Sequence, residues 1–150
     1  WIGLRYFNVF GPKQNPNNPY AAVIPIFLDC FINNKTVNVF GDGETARDFT
    51  YISNVVYMNE LSIFNESKAA MNEVYNVACS EKISLNKVIH TLSRITKKKI
   101  DVKYLKERPG DVKFSMASIG KAEKLLNYKV IDKFDNGLIK TLNWLKGYLK

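Results

Sequence analysis

The chain has 150 residues, of which 46% are hydrophobic and 24% charged, enough for one compact domain that buries roughly 70% of the surface its unfolded chain exposes, which argues against a disordered chain. A formal net charge of +8 raises nucleic-acid binding, but the lysines are poorly placed for it: Lys97, Lys98 and Lys99 close a helical segment, Lys140, Lys146 and Lys150 are spread along a last one, and no RNA-recognition or helix-turn-helix pattern interleaves them. With no basic-then-apolar leader and no apolar stretch of about 18 residues, a membrane span and secretion have no support, and a cytoplasmic protein is expected.

In chain order, Ile2 to Phe7 is a β-rich run that ends at Gly11-Pro12 and predicts a strand leading into a turn. The stretch from Lys13 to Pro19 is too rich in Pro and Asn to be regular and reads as a surface loop. Dense apolar residues from Ala21 to Ile32 predict a buried helix, with Pro25 tolerated near its first turn. Val37 to Phe40 alternates as a short strand into Gly41-Asp42-Gly43. Ser53 is the expected N-cap of a helix through Phe64, and Val74 to Ala78 is a strand. Ser84 caps a helix whose Leu85, Val88, Ile89, Leu92 and Ile95 share one face. Asp101 to Leu105 predicts a strand, Ser118 opens a short helix through Leu126, and Leu138, Leu142, Leu145 and Leu149 mark a final amphipathic helix. Helices and strands alternate without an internal repeat, and the fold class is α/β. Cys30 and Cys79 sit in apolar contexts and read as reduced, structural thiols. His90 lies in an amphipathic helix, remote from every motif discussed below, and is assigned no catalytic part.

Three phrases carry chemistry. The first, Leu4-Arg5-Tyr6-Phe7-Asn8-Val9-Phe10-Gly11-Pro12, places at a strand end an amide that either satisfies its own turn or donates to a phosphate oxygen without adding charge. The second, Gly41-Asp42-Gly43-Glu44-Thr45-Ala46-Arg47-Asp48-Phe49, is either a hairpin turn with a surface Arg47 paired to Asp48, or a turn presenting a guanidinium that can make paired bonds to phosphate. The third, Arg108-Pro109-Gly110-Asp111, is by itself only a turn beside two charges.

In this order and spacing the phrases resemble the extended short-chain dehydrogenase/reductase family, in particular its NAD-dependent epimerases acting on UDP-sugars, with a pattern similar to UDP-N-acetylglucosamine 4-epimerases. The resemblance runs over nearly the whole chain and implies the C-terminal, substrate-binding part of such an enzyme. Residues 1–12 would end the NAD-binding Rossmann domain and residues 13–150 would form the UDP-sugar-binding domain. Two family hallmarks are missing, a Gly-rich phosphate loop and a Tyr-Xaa-Xaa-Xaa-Lys pair, since no Tyr here is followed four positions later by Lys.

Carried over residue by residue, the resemblance implies that Phe7 contacts the nicotinamide end of NAD and Asn8 the sugar-nucleotide phosphates. Ala22 and Val23 would line the uridine site, Asn38 and Phe40 would flank the base and ribose, and Arg47 and Arg108 would grip the diphosphate from two sides. Asp111 would accept the ribose hydroxyls, and Ser115, four residues further on, would face the substituent on the sugar's C2. No catalytic residue and no metal ligand is expected in the chain. It is expected to be inactive and prone to self-association in isolation, and the full-length enzyme to be a homodimer. A nucleotide-sugar dehydratase or decarboxylase of the same family, or a free-standing UDP-sugar-binding module, remains open at this point.

Overall fold

A computed structural model describes residues 1–15 and 22–148. Residues 16–21, which hold the second half of the expected Pro- and Asn-rich loop and the expected helix start at Ala21, and Leu149 and Lys150 lie outside the described residues.

The architecture is α/β, built from short strand pairs set between helices. Strand β1 (Ile2–Tyr6) lies parallel to β6 (Glu73–Val77) in the register Ile2 to Glu73 through Tyr6 to Val77. Strand β2 (Val9–Phe10) runs parallel to β5 (Thr50–Tyr51), and β3 (Val37–Phe40) parallel to β8 (Val102–Leu105). A three-stranded sheet orders β7 (Ile83–Ser84), β4 (Ala46–Arg47) and β9 (Phe114–Ser115), with β4 antiparallel to β7 and parallel to β9. The helices are α1 (Val23–Asn33), α2 (Ile52–Ile63), α3 (Leu85–Thr96), α4 (Gly120–Leu126) and α5 (Phe134–Tyr148). A parallel pair cannot be joined by a tight turn, so the chain between β1 and β6 is free to build a separate body before returning to the same sheet.

Two apolar clusters follow from this path. One packs α1, α3 and α5 around Val37 and Val39 of β3 and the rings of Phe10, Phe49 and Phe134; the other packs α2 and α4 against β1 and β6 around Met58, Tyr75, Val77 and Tyr128. Alternation explains β3: Val37 and Val39 are fully buried while Asn38 is exposed and Phe40 half-buried on the opposite side.

The caps show which sequence signals are local. Ser84 accepts a hydrogen bond from the Lys87 amide at 3.2 Å, as expected of an N-cap. Ser53 does not cap α2. The helix already begins at Ile52, and the Ser53 hydroxyl instead donates to Asp132 Oδ2 at 2.6 Å. Ser118 likewise stands outside α4, which begins at Gly120 after Ile119. Pro25 is the third residue of α1, where no amide is missed. Lys98, expected at the end of its own helix, reaches across to the carbonyls of Phe31 and Ile32 and caps the C-terminal turn of α1.

Asp132 ties α2 to the loop before α5. Its carboxylate accepts from Ser53 and, through both oxygens at 2.7 Å, from Lys140. The buried Asn54 amide donates to the Asp132 carbonyl and accepts from the amides of Ile131 and Asp132. Burial pushes the Asp132 carboxyl up, but the bonds from Lys140 and Ser53 and the Lys140 charge outweigh it and leave it below the ordinary carboxylate value. A carboxyl depressed on folding contributes stability that is present above its unfolded value near 3.9 and is lost as pH falls through the folded value. Asp132→Asn is therefore expected to cost about 1 kcal/mol at pH 7, since Lys140 is half exposed and screened. That difference should shrink below about pH 4 in acid-unfolding curves; a gap constant with pH would contradict this role.

Candidate functional site

Pairing of the short strands brings the three phrases together. Strand β2 carries the end of the first phrase alongside β5, directly after the second, and the Phe10 and Phe49 rings meet edge to face at 6.4 Å. Strand β4, within the second phrase, pairs with β9, so that Arg47 stands opposite Ser115, just past the third phrase. Between them opens a cavity of about 470 Å³.

Asn8 sits at the bend between β1 and β2 with φ of +35°, a conformation Asn tolerates better than most residues, and its carbonyl accepts from the Thr50 amide. It lines the cavity, as do Ala22 and Val23 at the start of α1, Asn38 and Phe40 on the outward side of β3, and Arg47, Arg108 and Asp111. Two expected site residues are not brought to the cavity wall. Phe7 is half-buried and packs against the cluster around β1 and β6, its amide donating to the Val77 carbonyl. Ser115 is half-buried one strand position from the cavity, beside Arg47. His90 is exposed on α3, away from the site.

Further wall residues were not read from the sequence. Ile26, Phe27 and Cys30 join the expected Val23 along α1 at intervals of three and four and form one face toward the cavity. That spacing was the available signal. Thr36, Thr45, Phe49 and Leu85 also contribute; Thr45 and Phe49 belong to the second phrase, and tertiary structure brings Thr36 and Leu85 to them.

Arg47 is held by oxygen acceptors. Its guanidinium donates to the carbonyls of Ala46 and Val112 and lies 3.8 Å from an Asp111 carboxylate oxygen, with the side chain 20% exposed. The alternative pairing with Asp48 does not occur. Asp48 is fully buried and accepts from the amides of Cys79 (2.9 Å) and Ala117 (3.3 Å). Burial raises its carboxyl above the ordinary value, partly offset by those amides and by those of Glu81 and Ser80. Arg108 stacks on Phe40, its guanidinium carbon 3.7 Å from the ring centroid. Gly43 is required where it stands: φ is +79°, and a Cβ would meet the Asn86 side-chain oxygen at 2.2 Å. Asn86 in turn donates to the Asp42 carbonyl and the Glu44 carboxylate, fixing the turn that leads to Arg47.

Both thiols are free. Cys30 is buried in the cavity wall, and burial beside Asp48 pushes the Cys79 thiol up to about 12, which makes it inert at neutral pH. Among the described residues no group of three His, Cys, Asp or Glu side chains is placed to share a metal ion, and no helix is long and apolar enough to cross a membrane.

Parallel strand pairing and a cavity with an apolar helical wall, aromatic rings that include Phe40 and two guanidinium groups define an α/β binding domain suited to a ligand with a flat ring and a polyanionic part. Residues 1–78 match the family model described as the NAD dependent epimerase/dehydratase family. A UDP-glucuronate 4-epimerase of Thermodesulfobacterium geofontis is 36% identical over 95% of this chain and 42% of its own length. Two solved structures align over nearly the whole chain. The UDP-glucose 4-epimerase of Thermotoga maritima, with UDP-glucose, has a TM-score of 0.91, 32% identity and coverage of 99% of this chain and 47% of that one. The UDP-N-acetylglucosamine 4-epimerase of Methanobrevibacter ruminantium, with UDP-N-acetylmuramic acid, has a TM-score of 0.90, 40% identity and coverage of 98% and 46%. The chain belongs to the NAD dependent epimerase/dehydratase family, and it spans less than half the length of these relatives.

Proposed function

We propose that this chain is the UDP-sugar-binding part of an NAD-dependent UDP-hexose 4-epimerase. The observation that carries the reading is that Arg47 and Arg108, distant in sequence, line one cavity together with Asn8 and Asp111. Two arginines offset the cost of desolvating a diphosphate. The Phe40 ring offers a face for the uracil, the α1 residues Ala22 and Val23 an apolar edge, and Asn38 an amide for its polar rim. Asp111, an acceptor when ionised, takes hydrogen bonds from the ribose hydroxyls while steadying Arg47. Gripping the nucleotide orients the sugar, a contribution that depends on position rather than on proton transfer.

NAD, when bound, supplies the hydride acceptor and donor for the sugar's C4. Phe7 packs against the cluster around β1 and β6 and is absent from the cavity wall. Most of the NAD site, with the acid and base groups, is assigned to a part of the enzyme outside these 150 residues, and residues 1–12 are read as the end of the NAD-binding domain. The full-length enzyme is read as a cytoplasmic homodimer. A decarboxylase is the second reading, favoured by a UDP-N-acetyl-α-D-glucosaminuronate decarboxylase of Bacillus cytotoxicus that is 28% identical over 95% of this chain.

Ser115, small and next to Arg47, is proposed to leave room for an N-acetyl group at C2, making UDP-N-acetylglucosamine and UDP-N-acetylgalactosamine the substrates. The full-length enzyme with NAD is expected to interconvert them. Ser115→Tyr should then lower turnover of this pair about 10- to 200-fold relative to UDP-glucose and UDP-galactose, the range of other small steric discriminations. Equal loss on both pairs would remove the N-acetyl assignment. Release of carbon dioxide from a UDP-hexuronate without epimerisation of any UDP-hexose would replace the epimerase reading by the second one.

A further inference from the structure

The two guanidinium groups are held by different means. Arg47 is fixed by carbonyl and carboxylate oxygens, whereas Arg108 is exposed on the loop after β8 and, among the described residues, has no carboxylate within ion-pair distance. Its guanidinium instead lies on the Phe40 ring at 3.7 Å. Phe40 is itself rigidly placed. It ends β3, paired with Leu105 of the strand that leads into the Arg108 loop, and the next amide, Gly41, donates to the Leu105 carbonyl at 2.9 Å. Ring and loop therefore start from the same strand pair, and the ring is the surface on which the Arg108 guanidinium lies at the cavity. An arginine held in advance by a cation–π contact loses less freedom on gripping an anion than one ordered by the anion itself.

We infer that Phe40 is a positioning residue for the diphosphate grip, acting through Arg108 in addition to any contact of its own with the base. This rests on the reading of the cavity as a UDP site. The test is a double-mutant cycle on the full-length enzyme, with UDP as the titrated ligand and Phe40→Leu, Arg108→Ala and the double variant compared. If Phe40 acts through Arg108, Phe40→Leu should weaken UDP binding about 3- to 30-fold more with Arg108 present than in the Arg108→Ala background. Phe40→Tyr, which keeps the ring face, should retain the coupling, and Phe40→Met serves in place of Phe40→Leu if that variant does not fold. Equal, independent losses in both backgrounds would overturn the inference and leave Phe40 with the base alone. Failure of the unmutated enzyme to bind UDP would overturn the reading of the site and the inference with it.

Discussion

Asp48→Ala is expected to lower the stability of the folded protein by about 3–5 kcal/mol, the largest effect of any single substitution considered. The carboxylate is fully buried and accepts the amides of Cys79 and Ala117, which lie 31 and 69 residues further along the chain. It thereby binds the segment after β6 and the segment after β9 to the strand that carries Arg47. Its raised pKa shows that burial costs the ionised form more than the amides return. Removing it nonetheless strands the part-buried amide of Cys79 and the buried amide of Ala117 without their acceptor, and an unmade bond costs more than a made one contributes. Asp48→Asn, which keeps one acceptor but turns a donor toward an amide, should fall between. Denaturant unfolding of the full-length enzyme reads the effect. A midpoint unchanged in Asp48→Ala would show that the amides find other partners.

The same residue shows what the sequence could and could not reveal. Side by side in the chain, Arg47 and Asp48 invite pairing. Successive strand residues point to opposite faces, however, and the structure sends Arg47 to the cavity and Asp48 into the interior. Elements with their own periodicity were legible: β3 from its alternation, and α3 from its apolar face and the Ser84 hydroxyl, whose partner is three residues away. Ser53 was misread because its hydroxyl answers to Asp132, which is 79 residues distant. Strands β2, β4, β5, β7 and β9 have two residues each and therefore no pattern of their own; they exist only as pairings with remote segments. Four of the expected cavity residues, Asn8, Arg47, Arg108 and Asp111, lie within the three phrases, each a local unit, and the resemblance carried over four more, Ala22, Val23, Asn38 and Phe40. The α1 face and Thr36, Thr45, Phe49 and Leu85 emerged only when those units were assembled. Phe7 and Ser115 stand off the wall, and their assignments stay tied to the resemblance.

The second large effect concerns the two arginines, whose joint placement carries the functional reading. Arg47 brings a nearly buried guanidinium pre-set by the Val112 carbonyl and Asp111, and Arg108 brings one carried on an aromatic ring. A diphosphate between them is compensated from both sides, so loss of either leaves charge in a partly dehydrated cavity without its partner. Each single alanine variant is expected to cost roughly 2–4 kcal/mol of UDP binding, about 30- to 800-fold in affinity. The effect belongs to the nucleotide and needs neither a sugar nor turnover. Calorimetric titration of UDP into the full-length enzyme and its Arg47→Ala and Arg108→Ala variants is the most direct measurement. The account predicts saturable binding to the unmutated enzyme and a loss of that size in each variant; UDP affinity unchanged in both would contradict a diphosphate clamp built from these two residues.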